Sequence, residues 1–369
     1  MSKSNFACHN LEGKKLEDWN ITKKLPPADG IHATGGHFSV CYIAENSAHE
    51  EVFIKVLDYK RLFEDYLGQP DFLDQINYAS KTFIYEKQLA DYCASKRVPK
   101  IVKAISNGHI IMDATNKLYS IIDYIVFEKA DGDIRRILTF SKTLDFASQL
   151  NQLNAKLHSL HDISVSLSQL HKAEVSHQDL KPSNILLFGE ESKIGDFGRS
   201  LCFAPSIDCP YDTMNITFCG DLTYAPPEYI FKYWYTTNRD EWFYQIDNYM
   251  LGGLIVFYLS GMSFNALLCS NLAVDDLRLY RAGCKFEEVI LDLQNSFQIV
   301  LNELHDTLPD IKAKEKIIDV ITYLCNPDPK LRGHVKDVVS RGHNYNLGRI
   351  ISMLALIQKQ VEQEIIELN

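Results

Sequence analysis

The chain has 369 residues, 46% of them from the apolar set AVILMFWYC, which at roughly 150 residues per domain allows two compact units with a large core. A formal charge of −10 and a pI near 5.7 argue against bulk affinity for nucleic acid or anionic membrane and leave room only for a local basic patch. Nine cysteines without a CxxC pair fit reduced thiols in a cytoplasmic protein rather than a disulfide framework.

The start, MSKSNFACHN, carries no apolar signal region, and residues 1–27 read as a loosely held polar arm. FSVCYIA (38–44) and EVFIKVL (51–57) are short, β-branched and aromatic, and the ENSAHE between them makes a hairpin. Residues 58–95 are helical in character, with IYEKQLADYCA spacing its apolar residues for one face. Strand-like IVKAI (101–105) and YSIIDYIVFEK (119–129) follow. Beyond Asp131 the pattern is mainly helical, broken by a loop-rich stretch from about 175 to 228.

MLGGLIVFYLSGM (250–262) is the longest apolar run. It is short of the ~20 residues that span a bilayer, so it reads as a buried core helix and no membrane insertion is expected. LGRIISMLALIQKQVEQEIIEL is one amphipathic helix, expected to pack on the larger unit. A strand-rich half followed by a helix-rich half predicts an α+β fold of two lobes. The expected boundaries are a small lobe over 28–130, a large lobe over 131–345 and a C-terminal helix over 346–369.

The chemistry concentrates in HQDLKPSN (177–184). Asp179 can orient a hydroxyl and accept its proton, Asn184 offers a neutral oxygen to a metal, and Lys181 offers a positive charge. IGDFGRS then places a second carboxylate, Asp196, beside a glycine. Two acidic groups, an amide and a lysine on neighbouring loops suit Mg²⁺, or alternatively Mn²⁺, together with phosphate. Phosphoryl transfer needs positioning and charge neutralisation more than covalent help.

On these residues the chain resembles the eukaryotic-type protein kinase family, over roughly residues 28–345. Asp-Leu-Lys-Pro-Ser-Asn (179–184) is similar to the catalytic loop, and Asp196-Phe197-Gly198 to the metal-binding motif. The resemblance implies a bilobal kinase fold, ATP as cofactor and a protein substrate. Asp179 and Lys181 would be catalytic, and Asn184 and Asp196 would be metal ligands. Lys55 in VFIK matches the lysine that contacts the α- and β-phosphates, and Glu86 in IYEKQL matches its helix partner. The Lys55–Glu86 interval is longer than the family norm, with additional residues between about 60 and 78, and Glu64 is the alternative. In YIVFEKADGD, Phe127 matches the back of the adenine pocket, while Glu128, Lys129 and Ala130 match the hinge whose backbone holds adenine. Glu228 of CGDLTYAPPEY is implied to pair with Arg332, and Asp247 to brace the catalytic loop from below. Lys181 points to the serine/threonine class, which tyrosine kinases usually lack at this place.

Four departures stand out. In TGGHFSVC, Thr34 and Ser39 replace the outer glycines of the phosphate loop, so Gly35 and Gly36 are left to turn it. Phe53 stands where the family usually has alanine on the adenine-facing surface. Overpacking typically costs about 1–3 kcal/mol, a factor of roughly 5–150 in affinity, unless the strand shifts by one residue or the ring turns outward. Gln178 replaces the arginine that usually meets a phosphate on the activation segment. That predicts activity independent of phosphorylation at Ser206, Tyr211, Thr213 and Thr217. Asp221 replaces a threonine that touches the catalytic aspartate, with Thr223 as a substitute nearby.

The leading expectation is an ATP-dependent serine/threonine protein kinase. A pseudokinase scaffold, or a kinase-fold enzyme acting on a small molecule, are the alternatives. The sequence sets no oligomeric state, and no nucleic-acid partner is expected.

Overall fold

The computed structural model describes residues 6–26, 38–113, 119–138, 144–211, 220–236, 238–275, 284–340 and 345–368. The glycine-rich stretch with Gly35 and Gly36, together with Thr213, Thr217 and Cys219, lies outside them.

Six antiparallel strands form the first lobe: β1 (Lys15–Leu16), β2 (Trp19–Lys24), β3 (Ser39–Glu45), β4 (Glu51–Leu57), β5 (Ala104–Ile111) and β6 (Ile121–Glu128), in the order β1-β2-β3-β4-β6-β5. Alternation of apolar and polar residues sets the register, because a slip of one residue would turn the core face to solvent. Lys55 on β4 lies opposite Cys41 on one side and Ile125 on the other. The arm expectation fails here. β2 pairs with β3, Leu11, Leu16 and Ile21 are buried, and the Tyr42 hydroxyl donates to the Cys8 carbonyl at 2.6 Å.

Between β4 and β5 run α1 (Tyr59–Tyr66) and α2 (Phe72–Ser95). Asp58 starts α1 by accepting from the Arg61 N–H at 3.1 Å, which satisfies one orphan donor of the first turn. The additional residues therefore form α1 and the first turns of α2. Ala79 and Phe83 of α2 pack into the core of the sheet, while Tyr85, Leu89 and Cys93 join the core of the second lobe. Glu86 thus sits where the two cores meet.

The second lobe begins with β7 (Gly132–Asp133), α3 (Ile134–Ile137) and the long α4 (Phe146–Lys172). β8 (Val175–Ser176), β9 (Ile185–Phe188), β10 (Glu191–Ile194) and β11 (Leu201–Cys202) carry the loops between them. Then come α5 (Pro227–Ile230), α6 (Arg239–Ser260), α7 (Phe264–Ser270), α8 (Phe286–Thr307), α9 (Lys314–Cys325), α10 (Val335–Ser340) and α11 (Gly348–Leu368). α6 is mostly apolar and buried from Trp242 through Val256, as a central helix must be, with Gln245, Asp247 and Asn248 as its buried polar groups. Among the described residues no single helix is long and apolar enough to cross a membrane. Helix α11 buries Ile350, Leu354, Ile357 and Val361 at 3.6-residue spacing and packs on α4. Each such side chain contributes about 1.5–3 kcal/mol when fully buried.

Candidate active site

The loop after β8 is shaped by one buried carboxylate. Asp247, fully enclosed on α6, accepts at Oδ2 from the Ser176 hydroxyl (2.8 Å), the His177 N–H (2.8 Å) and His171 Nε2 (2.9 Å). Its Oδ1 accepts from the Gln178 N–H at 2.8 Å. Burial alone would raise this carboxyl. The His171 hydrogen bond and charge, with the backbone donors, outweigh that and hold it below the ordinary carboxylate value. These bonds hold Gln178 in the left-handed region at φ 64°, a turn that aims the next residue at the cleft. The Gln178 amide itself turns inward, donating to Ser176 Oγ at 2.7 Å and the Phe243 carbonyl at 3.1 Å. His177 is enclosed. Its Nδ1 accepts from the Asp179 N–H at 3.3 Å, which leaves Nε2–H to donate to the Gly195 carbonyl at 3.1 Å.

Asp179 is 5% exposed. Its Oδ1 accepts from the Asp221 N–H at 3.0 Å, and its Oδ2 from Lys181 Nζ at 3.1 Å and Asn184 Nδ2 at 3.2 Å. Asn184 also donates to the Asp179 carbonyl at 2.7 Å. Burial pushes the Asp179 carboxyl up, and the Lys181 charge offsets part of the rise. Here the structure answers the question of the missing threonine. The backbone of Asp221 touches the aspartate, and its Oδ2 lies 3.7 Å from Lys181 Nζ. Thr223 does not substitute; its N–H braces Asp221 Oδ1 at 3.0 Å.

Across the cleft, Lys55 Nζ lies 2.7 Å from Glu86 Oε2 and 3.0 Å from Asp196 Oδ1. Glu64 is not its partner, being exposed on α1 and paired with Lys60 at 3.4 Å. Burial would discharge Lys55, but Asp196 and Glu86 outweigh it and keep the ammonium charged. Burial raises Glu86. Asp196, also pushed up by burial, is pulled by Lys55 and more weakly by Lys181 to about 2. Asp196 occupies the left-handed region (φ 62°, ψ 73°), tolerable for an aspartate, and leads into the turn Phe197–Arg199.

At the hinge, Phe53 pairs directly with Phe127, their ring centroids 6.4 Å apart. The strand has not shifted, so Phe53 shares its face with Lys55, two residues on. The Glu128 carboxylate is engaged by Lys193 Nζ at 2.8 Å and by the Lys103 N–H at 2.8 Å, and the Glu128 N–H donates to the Lys103 carbonyl at 3.0 Å. Ala130 follows at the half-buried start of the crossing.

A cavity of about 720 Å³ runs from Lys55 and Glu86 past Asp196 to Asn184, Asp179 and Lys181. Phe53, Glu128 and Ala130 are not among its lining residues. Hard oxygens of Asp196 and Asn184 between two lysines fit a divalent cation with phosphate. The additional residues supply Leu62, Tyr66 and Tyr78 to one wall. Sequence reasoning missed this wall, since helical periodicity says nothing of what a helix faces. It also missed His171 and Ser176, which reach Asp247 only through the fold.

Below the site, Arg332 and Glu228 form the implied buried pair, Nη1–Oε1 2.5 Å and Nη2–Oε2 2.9 Å. Tyr211 donates its hydroxyl to the Gly198 carbonyl and sets its ring against Tyr85 at 6.0 Å between centroids. Cys202 is buried, which raises its thiol.

The family profile described as protein kinase domain matches residues 35–343. The chain belongs to that family, which implies ATP and a divalent metal. Among curated proteins it is 38% identical to an Aurora kinase of Dictyostelium discoideum over 123 residues, 33% of this chain and 28% of the relative. It is 31% identical to human ribosomal protein S6 kinase alpha-2 over 176 residues, 47% of this chain and 21% of the relative. It is 27% identical to rat ribosomal protein S6 kinase alpha-1 over 244 residues, 66% and 30% of the two lengths. The chain thus spans less than a third of the length of these relatives.

Proposed function

We propose that the chain is an active protein kinase that transfers the γ-phosphoryl group of ATP to serine or threonine hydroxyls of proteins. The supporting observation is the convergence on one cavity of Asp179, held by Asp221, Lys181 and Asn184, with the Lys55–Glu86–Asp196 triad. When bound, Mg²⁺-ATP, or Mn²⁺-ATP, supplies the phosphoryl group and neutralises its charge.

In this reading Asn184 and Asp196 hold the metal. Lys55, positioned by Glu86, would hold the α- and β-phosphates; Gly35 and Gly36, the phosphate-loop candidates, lie outside the described residues. The hinge backbone at Glu128 and Ala130 receives adenine. Asp179 orients the acceptor hydroxyl and takes its proton, and Lys181 steadies charge on the transferring group. The strands from Lys15 belong with the small lobe, which ends at the hinge near residue 130, and the large lobe runs to about 345. A cytoplasmic location fits the described cysteines, none of which forms a disulfide.

The experiment is incubation with Mg²⁺-ATP and a mixed protein substrate, with phosphate mapped by mass spectrometry beside an Asp179→Asn variant. Phosphoserine or phosphothreonine that vanishes in the variant supports the proposal. One observation favours a second reading, a scaffold without turnover: Phe53 pairs with Phe127 on the strand face that also carries Lys55, where the family resemblance implies adenine. Absence of both phosphate and an ATP-induced thermal shift would put that reading first.

A further inference from the structure

Four cations line the catalytic cavity: Lys55, Lys181, Arg135 and Arg199. Three are matched by carboxylates. Lys55 has Glu86 and Asp196, Lys181 has Asp179 and Asp221, and Arg135 has Asp133 at 2.9 Å. Arg199 is exposed, and among the described residues no carboxylate lies within ion-pair distance of it.

The backbone that carries Arg199 is firmly held. Phe197 is 1% exposed, the Ser200 hydroxyl donates to the His177 carbonyl at 3.1 Å, and the Tyr85 hydroxyl donates to the Ser200 carbonyl at 3.1 Å. The guanidinium therefore projects from a fixed turn into the cavity that also holds Asp179. A planar fork of donors offered from a rigid base is suited to a carboxylate or a phosphate. Asp221 does not supply that partner, since its two oxygens face Thr223 and Lys181.

We infer that Arg199 determines substrate specificity, binding an anionic group close to the acceptor hydroxyl and favouring acceptors flanked by acidic residues. The inference rests on the kinase reading above. It predicts that kcat/KM for a serine peptide with aspartate and glutamate flanks exceeds that of the alanine-flanked peptide. The difference should be about two- to fivefold, the range that an exposed ion pair provides, and should lie mainly in KM.

The test measures three peptides, with acidic, alanine or lysine flanks, against the full chain and its Arg199→Ala and Arg199→Glu variants. Arg199→Ala should bring the acidic-to-alanine ratio to near one. Arg199→Glu should turn the preference toward lysine. Equal rates on all three peptides in the parent, or a ratio unmoved in both variants, would overturn the inference while leaving the kinase reading in place. No turnover of any peptide would overturn both. A preference that appears only after phosphatase treatment of the parent would assign the guanidinium to a phosphate on the chain itself, and so against the substrate.

Discussion

Replacing Glu228 by alanine should destabilise the large lobe severely. The Arg332 guanidinium is 0% exposed and lies under the Tyr249 ring, 4.8 Å from its centroid. Without Glu228 it loses both charged acceptors, at 2.5 and 2.9 Å. What remains is the Asn326 carbonyl at 3.0 and 3.1 Å and the Gln245 carbonyl at 3.4 Å. Neutral carbonyls do not compensate a buried charge. Removing one partner of such a pair typically costs about 3–5 kcal/mol, a large part of the roughly 5–15 kcal/mol that keeps a domain folded. At roughly 2–4 °C per kcal/mol for a lobe of this size, the melting temperature should fall by about 6–20 °C. The assay is urea unfolding followed by far-ultraviolet circular dichroism, with linear extrapolation. A Glu228→Gln/Arg332→Met double variant should lose less than Glu228→Ala, because no lone charge is left behind. A loss below about 1 kcal/mol in Glu228→Ala, or a double variant less stable than the single one, would refute this reasoning.

Five further outcomes are expected. Burial places the Asp179 carboxyl above its ordinary value of 3.8, so kcat/KM should fall on the acid side through an apparent pKa higher than that; Lys181→Ala removes the opposing charge and should move this limb to higher pH. A raised folded-state pKa contributes stability below the unfolded value that is lost as pH rises through the folded one, so Asp179→Asn, while inactive, should unfold at pH 7 no more readily than the parent. Phe53→Ala should lower the KM for ATP by about fivefold or more by relieving overpacking; an unchanged KM would mean that the ring stacks on the base instead of displacing it. Gly252→Ala should cost about 1–3 kcal/mol in the same denaturation assay, since its Cβ would meet Cys325 Sγ at 2.5 Å and Leu324 Cβ at 2.8 Å where α6 crosses α9. With the Gln178 amide turned inward, replacement of Ser206, Tyr211, Thr213 and Thr217 by Ala, Phe, Ala and Ala should preserve activity. A folded but inactive quadruple variant would show that a phosphate there is required.

Much of the site was legible in the linear sequence because its parts are close along the chain. Asp179, Lys181 and Asn184 sit within one turn-rich loop, and Asp196 follows after a single hairpin, so short-range geometry is enough to bring them together. Apolar spacing likewise marked α6 and α11, whose burial follows from their own periodicity. The arm was misread for the opposite reason: β2 buries only Ile21 at its centre, and a strand with a largely solvated face leaves little pattern in the sequence. Tertiary closure alone decided between Glu86 and Glu64, because the choice depends on which face α2 presents to β4 across the additional residues. It also decided that a backbone N–H of Asp221, not a hydroxyl, meets Asp179, and that among the described residues Arg199 is the one cation of the cavity without a carboxylate in ion-pair distance. Residue type specifies which groups can interact; distances among groups far apart in the chain exist only once the two cores have packed.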